Sequence, residues 1–345
     1  MLRPLQLLPG VLLAATVGGL AIGLHALQGR FFAHPPLESL VLALLIGVVF
    51  RQLLGVIPRC LPGQSFCAKQ LLEAAVLLLG ATMDLRQVLA GGPRLLIGVA
   101  LAVVVSLSGG ALIARRLFRL DRKPAVLIAV GNAICGNSAI ATVAPLIAAS
   151  TTEVAGAIAF TALLGVGLVL LLPFAIPLLG LGHGQYGVLV GLSVYAVPQV
   201  LAASYPVSEV AGQSATLVKL IRVLFLAPVA VYFSLRAGDR TAVDPAKSAA
   251  RKTRLSIAQL VPWFIAGFLL LSALRSLGLI APSAAAVIKE VSRLLTILGM
   301  AALGLAVDIH ALRVAGRRTA GAVLASLLLL LGVSVALIHV LQLGK

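Results

Sequence analysis

Long apolar runs separated by short polar segments extend along the whole chain. Each of the eleven runs is about as long as the hydrocarbon core of a bilayer requires of a helix. The runs are 8–28, 37–57, 68–89, 94–117, 124–149, 154–178, 185–204, 209–235, 257–277, 288–309 and 315–342. The first is too long for the apolar part of a signal peptide. This pattern predicts an all-α polytopic membrane protein with about eleven transmembrane helices.

Composition supports a membrane protein and excludes an ordinary soluble domain. Hydrophobic residues make up 61% of the chain and charged residues 11%, with a mean hydropathy of +1.12. A soluble domain is about half apolar and a quarter charged. The net charge of +17 comes from cations that mostly lie between the apolar runs, which argues against nucleic-acid binding. The three cysteines form no CxxC pair, so neither a disulfide framework nor a metal site is predicted.

The distribution of lysine and arginine predicts the orientation in the membrane. Of the 27 cations, 18 lie on the side that contains the N-terminus and 7 on the other side. By the positive-inside rule, the N-terminus faces the cytoplasm of a bacterial inner membrane. An odd number of spans then places the C-terminus outside, and the hydrophilic segment 236–256 becomes a cytoplasmic linker.

The fifth run contains an unusual polar segment, GNAICGNSAIATVAP, at 131–145. Its glycines and asparagines disfavour a continuous helix. Unpaired backbone in a membrane is tolerated only beside a protein-lined or watery cavity. A half-helix capped by Asn137 or Ser138 would present free N–H groups to an anion. We interpret the segment as a broken helix, with a small-residue packing face as the alternative.

Two cations, Lys219 and Arg222, lie inside the 209–235 run. Their spacing places both on one helix face. Lys219 follows Glu209 by ten residues, which is about 15 Å along a helix and near mid-bilayer. Two interpretations stay open, a counter-ion for an anionic substrate or a structural partner. The structural partners considered are a helix C-terminus or one of the acids Glu73, Asp84 and Asp308.

Two further segments depart from a simple apolar pattern. In 193–205, Pro198 removes a backbone donor, while Tyr195 and Gln199 offer side-chain partners. This segment predicts a broken or kinked helix, and a plain proline kink is the alternative. In 299–308, small residues surround Gly299, Met300 and Gly304. This segment is a candidate functional segment, and a close-packing face is the alternative interpretation.

These segments together resemble the YeiH-type, or UPF0324-type, family of membrane proteins, which are described as sulfate exporters. The blocks GNAICGNSAIATVAP, SVYAVPQVLAAS, TLVKLIRVLFLAP and GMAALGLAVDIHALRVAG occur in the order typical of that family. The chain departs from it at Tyr195-Ala196, where many members have histidine followed by an acid, and at Pro198, where many have alanine. Gln199 is shared. A titratable pair is therefore missing here.

The resemblance implies a fold similar to bile-acid/sodium symporters and sodium/proton antiporters. One N-terminal transmembrane helix in 1–36 would precede two inverted five-helix repeats, 37–178 and 185–345. The fourth helix of each repeat, 124–149 and 288–309, would be discontinuous, and the two would cross at the midplane.

The leading functional hypothesis is a secondary active transporter that exports a small anion of the sulfate, sulfite or sulfonate type by alternating access. The predicted substrate-binding residues are Asn132, Cys135, Gly136, Asn137, Ser138, Tyr195, Gln199, Lys219, Arg222, Gly299, Met300 and Gly304. No catalytic residue, metal ligand or cofactor is predicted, apart from a coupling ion, H+ or Na+. The predicted partners are the solute and the lipid bilayer, and a homodimer stays an option.

Other functions remain as alternatives. A sodium- or proton-coupled symporter or antiporter for another solute usually needs an acid beside the crossing, and the acids here lie mostly at helix ends. A channel is a further option. An intramembrane enzyme is disfavoured because neither HExxH nor GxSxG occurs. A dyad of Ser138 with Lys219 would be required instead.

Overall fold

Helices form nearly all of the described chain, as the apolar runs predict. A computed structural model describes residues 4–31, 37–83, 92–241, 263–307 and 311–344, and no strand occurs in these ranges. The first five helices are α1 (Pro4–Phe31), α2 (Ser39–Leu54), α3 (Leu61–Phe66), α4 (Leu72–Leu79) and α5 (Gly92–Leu112). Short 3-10 or π turns extend several helices, at Pro58–Cys60, Cys67–Leu71, Gly80–Thr82, Ile113–Leu117 and Leu172–Phe174.

The remaining helices include two closely spaced pairs. The middle of the chain forms α6 (Arg122–Ala133), α7 (Asn137–Leu146), α8 (Thr151–Leu171), α9 (Ala175–Leu179), α10 (His183–Ser193) and α11 (Val197–Ser204). The last helices are α12 (Glu209–Leu224), α13 (Leu226–Thr241), α14 (Trp263–Ser276), α15 (Pro282–Ala306) and α16 (Ala311–Val340). Only three residues separate α6 from α7, and three separate α10 from α11.

Six helical segments in the described ranges are long and apolar enough to cross a membrane. They are Gln6–Phe31, Pro58–Thr82, Gly92–Leu117, Thr151–Leu179, Glu209–Arg236 and Gly316–Val340. The protein is therefore an all-α polytopic membrane protein. Each other apolar run overlaps a shorter or interrupted helix, or α15. The count of eleven spans, the division into inverted repeats and the orientation stay predictions.

The helices pack as two bundles. The first bundle contains α1 to α4 with α14 and α15, so it joins the beginning of the chain to residues 263–307. Its most extensive contact is between α2 and α15, where a Cβ on Gly47 would lie 2.5 Å from the carbonyl oxygen of Ala301. Gly304 in turn meets the Leu44 carbonyl, and Gly299 meets the Leu72 side chain. Glycine is needed here because the helices approach closely.

The second bundle contains α5 to α8, α10 to α13 and α16. Here α10 and α12 pack closely, since a Cβ on Gly191 would lie 2.6 Å from the Ala215 carbonyl oxygen. The Asn132 amide nitrogen on α6 donates a 3.1 Å hydrogen bond to the Val323 carbonyl on α16. Both interrupted helices belong to this bundle.

Contacts between the two bundles are sparser than those within them and centre on α11, which meets α2, α4 and α15. At the edge, Lys289 on α15 forms a 2.8 Å ion pair with Glu209 at the start of α12. The second bundle is thus connected to the first largely through one half of an interrupted helix.

The predicted discontinuity in 288–309 is wrong for the described part of that segment. Residues 282–306 form one continuous helix, α15, and the second interrupted span is instead α10 with α11. Gly299 and Gly304 keep helical backbone because their small size serves packing against α2 and α4. Pro198 lies in the first turn of α11, where its missing N–H costs no helical bond. Asp84 and Asp308 lie outside the described residues.

Candidate functional site

The first interruption lies at 134–136, where the sequence predicts a broken helix. α6 ends at Ala133, and Ile134 leaves the helical conformation with φ −120° and ψ −84°. Gly136 then adopts a left-handed φ of 65° before α7 begins at Asn137. A Cβ at Gly136 would lie 3.2 Å from the Cβ of Tyr195. Glycine is therefore favoured both by the backbone conformation and by the neighbouring chain.

The second interruption lies at 194–196 and faces the first. α10 ends at Ser193, and Val194 continues in an extended conformation with ψ 144°. The Ala196 N–H, which precedes α11, donates to Oε1 of Gln199 at 3.3 Å. The contact between Gly136 and Tyr195 shows that the two interruptions meet.

Lys219 joins the two interruptions. Its ammonium group is fully buried and donates to the carbonyl of Ile134 at 2.7 Å and to the carbonyl of Val194 at 2.9 Å. These carbonyls follow the last turns of α6 and α10, where a helix leaves its acceptors unpaired. One cation thus satisfies acceptors from both interrupted helices.

Arg222 lies one turn further along α12 and makes the same connection with more bonds. It is 1% exposed, and its Nε donates to the Ala133 carbonyl at 2.7 Å. Its Nη1 reaches the carbonyls of Val194 at 3.1 Å and Gly191 at 3.4 Å. Its Nη2 bonds the Asn132 carbonyl. Partnership with helix C-termini, one of the structural partners considered from the sequence, is therefore present, and the counter-ion role stays a prediction.

The balance of charge at the junction is positive. Two helix C-termini contribute about −0.5 charge each, and the N-termini of α7 and α11 contribute about +0.5 each. The helix ends therefore roughly cancel, while Lys219 and Arg222 add two positive charges. No aspartate or glutamate is buried within the described residues. An uncompensated pair of buried cations is costly, which favours an anion at the junction.

The start of α7 presents polar groups beside these cations. Asn137 and Ser138 are exposed, whereas the residues before them are buried or partly buried. Oδ1 of Asn137 accepts a 2.9 Å hydrogen bond from Thr161 on α8. The Cys135 thiol lies beside Ser138 and the Ala139 amide, and it interacts electrostatically with Lys219. The first amides of a helix are suited to an anion.

Other polar groups near the junction are buried. The Tyr195 hydroxyl and Oδ1 of Asn132 have no hydrogen-bond partner among the described residues. Gln199 packs against Gly165 on α8, where any side chain would overlap its amide. Buried polar atoms without partners are rare in folded proteins and call for an explanation, so a bound ligand or water near them is expected.

The structure brings together most of the predicted site residues. Those gathered at or beside the two interruptions are Asn132, Cys135, Gly136, Asn137, Ser138, Tyr195, Gln199, Lys219 and Arg222. Gly299, Met300 and Gly304 lie on the continuous α15, where both glycines pack against the first bundle. Their predicted place on a discontinuous helix is therefore corrected.

Sequence reasoning missed Thr161, Gly165 and the carbonyl groups that bind the two cations. Thr161 is a buried hydroxyl within the apolar α8, and a polar residue at that depth is a recognisable signal. The role of Gly165 carries no signal in the sequence, because it depends on how α8 and α11 pack. The carbonyl partners follow only from knowing where the helices end.

Comparison with known proteins finds one matching family model and several similar membrane proteins. The family model described as conserved hypothetical protein 698 matches residues 9–323. A UPF0324 membrane protein of Bradyrhizobium diazoefficiens is 47% identical over 98% of this chain and 94% of its own length. One from Agrobacterium fabrum is 48% identical over 97% and 94%, and one from Bacillus cereus is 35% identical over 86% and 83%. No solved structure matches the chain.

Proposed function

We propose that this chain, which belongs to the UPF0324 family of membrane proteins, is a secondary active transporter for a small anion. The observation that carries the proposal is the pair Lys219 and Arg222, buried at the meeting point of two interrupted helices with no buried carboxylate among the described residues. The resemblance to YeiH-type proteins favours export of sulfate, sulfite or a sulfonate.

In this proposal the anion binds at the start of α7. The amides of the first turn and the side chains of Asn137 and Ser138 supply hydrogen bonds, while Lys219 and Arg222 supply the positive field. Both cations stay bound to backbone carbonyls and act at short range through charge. This arrangement disfavours cations, and it selects anions small enough to reach a helix end.

Transport in this proposal is alternating access, in which the second bundle moves against the first. The sparse contacts around α11 support it, because few interactions need to break for the bundles to move. Since α11 belongs to the interrupted span, movement at the bundle interface is coupled directly to the binding residues. The coupling ion in this proposal is H+ or Na+.

A ligand panel on purified protein tests the proposal. Sodium salts of sulfate, sulfite, alkyl sulfonates and carboxylates are added at equal sodium concentration, and the melting temperature is recorded. A ligand that binds only the folded state raises stability by mass action, by about 2.7 kcal/mol at a hundred times its Kd. We expect one class of anions to raise the melting temperature and the others to leave it unchanged.

Variants connect that response to the start of α7. Ser138→Ala is expected to reduce the anion-induced shift while leaving the melting temperature without ligand unchanged, because Ser138 is exposed. Thr16→Val on α1 removes another exposed hydroxyl and serves as the matched control. In proteoliposomes, the same anion should exchange at a saturable rate. Unitary currents would instead indicate a channel, and an absence of anion response with sodium-driven flux of a neutral solute would refute the proposal.

A further inference from the structure

A second basic feature lies away from the interrupted helices, at the turn between α5 and α6. It is a cavity of about 610 Å³ lined by four arginines, Arg115, Arg116, Arg119 and Arg122, and by one carboxylate, Asp121. In the predicted orientation this turn faces the cytoplasm. The residues of the candidate transport site do not line it.

The backbone of this turn directs the arginines to one place. After the π turn Ile113–Leu117, Arg119 adopts a left-handed φ of 53°. The Leu120 amide then bonds back to the Ala114 carbonyl at 3.0 Å. Glycine is the usual residue at this position of a helix end, because it has no Cβ. The chain instead keeps an arginine there, and its side chain joins those from the end of α5 and the start of α6.

The four guanidinium groups have no partner within the described part of the protein. All four arginines are exposed, and none forms a hydrogen bond or ion pair with a described residue. The positive-inside rule requires cations on this side of the membrane but does not require them to surround one cavity. Like charges that line a common cavity repel one another, so the arrangement favours an anion with several acceptor oxygens.

Apolar side chains form another part of the wall, which also includes Ser108. Leu112 and Leu120 line the cavity. Leu112 is 53% exposed and Leu117 beside it is 70% exposed, as expected for side chains that contact lipid. A basic end joined to an apolar wall matches a phospholipid better than it matches a free inorganic anion, since headgroup and acyl chain are both accommodated.

We infer that this cavity, defined by the four arginines, binds the phosphate headgroup of an anionic phospholipid from the cytoplasmic leaflet. Basic residues at a membrane surface are recognised by such lipids. The bound headgroup offsets part of the positive charge of the arginines and connects the turn to the first residue of α6. Because α6 ends at the first interruption, the lipid stabilises the helix that carries the transport site.

The test uses delipidated full-length protein in a neutral detergent, titrated with short-chain phosphatidylglycerol and, separately, with phosphatidylcholine. Native mass spectrometry and the melting temperature report binding. We expect phosphatidylglycerol to bind and to raise the melting temperature, and phosphatidylcholine to do neither. Arg115→Gln with Arg119→Gln should weaken phosphatidylglycerol about thirtyfold, the factor expected from two surface cations.

A control double variant that removes the same charge outside the cavity distinguishes binding in the cavity from general attraction to a basic surface. Arg317→Gln with Arg318→Gln removes two exposed arginines of α16 that do not line the cavity, and it should leave phosphatidylglycerol binding within about twofold, since each retained cavity arginine keeps its contribution. Equal weakening by both double variants would overturn the inference. A second test adds inorganic phosphate to the wild-type protein and needs no variant. If it displaces phosphatidylglycerol and stabilises the protein as well as the lipid does, the cavity binds a free anion and the lipid assignment is overturned.

Discussion

Replacing Arg222 by glutamine should strongly destabilise the protein. Arg222 is 1% exposed and bonds carbonyls from both interrupted helices, including Ala133 at 2.7 Å and Val194 at 3.1 Å. Glutamine is too short to reach them and carries no charge. Removing one partner of a buried charged contact costs about 3–5 kcal/mol, because the acceptors left behind stay buried without a donor.

The assay is thermal unfolding of purified protein in detergent. For a chain of this size the loss corresponds to a melting temperature about 5 °C lower, or more. Arg222→Lys keeps the charge but loses the planar fork of donors, so it should fall between glutamine and wild type.

A matched control exists on α15. Arg293 makes three side-chain bonds, all to Glu290 at 2.5–3.1 Å, but the two side chains are 44% and 55% exposed. Such surface pairs contribute about 1 kcal/mol or less. Arg293→Gln should therefore leave the melting temperature nearly unchanged. Equal, small effects of Arg222→Gln and Arg293→Gln would refute the view that buried cations hold the interrupted helices together.

Three other predictions follow from the same junction and from the bundle interface. Gly136→Ala should lower the free energy of unfolding by about 1–2 kcal/mol because φ of Gly136 is 65°. Gly167→Ala on α8, which has open space around it, should be neutral. Equal melting temperatures for the two variants would count against the left-handed conformation. Thr161→Val should cost about 1 kcal/mol by removing a hydroxyl that lies 2.9 Å from Oδ1 of Asn137 and 3.0 Å from the Ile158 carbonyl. Because the Ile158 carbonyl remains as an acceptor, the cost should become smaller in an Asn137→Ala background, and full additivity would be inconsistent with a bond to Asn137. Glu209→Cys with Lys289→Cys, in a chain whose three native cysteines are replaced, should lose anion exchange when the two thiols are joined by a bis-methanethiosulfonate of about the length of the original ion pair, since that 2.8 Å pair joins the bundles. Reduction of the crosslink should restore exchange. Undiminished flux after complete crosslinking would argue against movement between the bundles.

Much of the fold was predictable because the bilayer imposes simple requirements. Span length and the exclusion of unpaired backbone identify the helices and the first interruption, where GNAICGNS cannot form a regular helix in lipid. Pro198 similarly indicated the second interruption. The choice of 288–309 as the crossing partner came from the family resemblance, while the residues themselves left a close-packing face at Gly299 and Gly304 as the alternative. Glycine in a membrane helix occurs at close helix–helix contacts as readily as at interruptions. Only the position of α2 and α4 distinguishes these two roles.

The candidate site was predicted less completely than the fold. The polar side chains in 131–138 and the cations Lys219 and Arg222 were identifiable, because charged or polar groups at bilayer depth are expensive. What these cations bind was not predictable, since their partners are backbone carbonyls, which every residue has. The contribution of Thr161 from α8 depends on packing between helices distant from the motif.

Labelling of Cys135 tests the central claim most directly. In a chain with Cys60→Ser and Cys67→Ser, Cys135 is the remaining thiol, and it lies partly exposed beside Ser138 at the first interruption. We predict that an anion which raises the melting temperature also slows modification of Cys135 by a membrane-permeant maleimide, with half-protection at its Kd, while anions that do not stabilise leave the rate unchanged. A stabilising anion that leaves the labelling rate unaffected at saturation would contradict a binding site at the two interruptions.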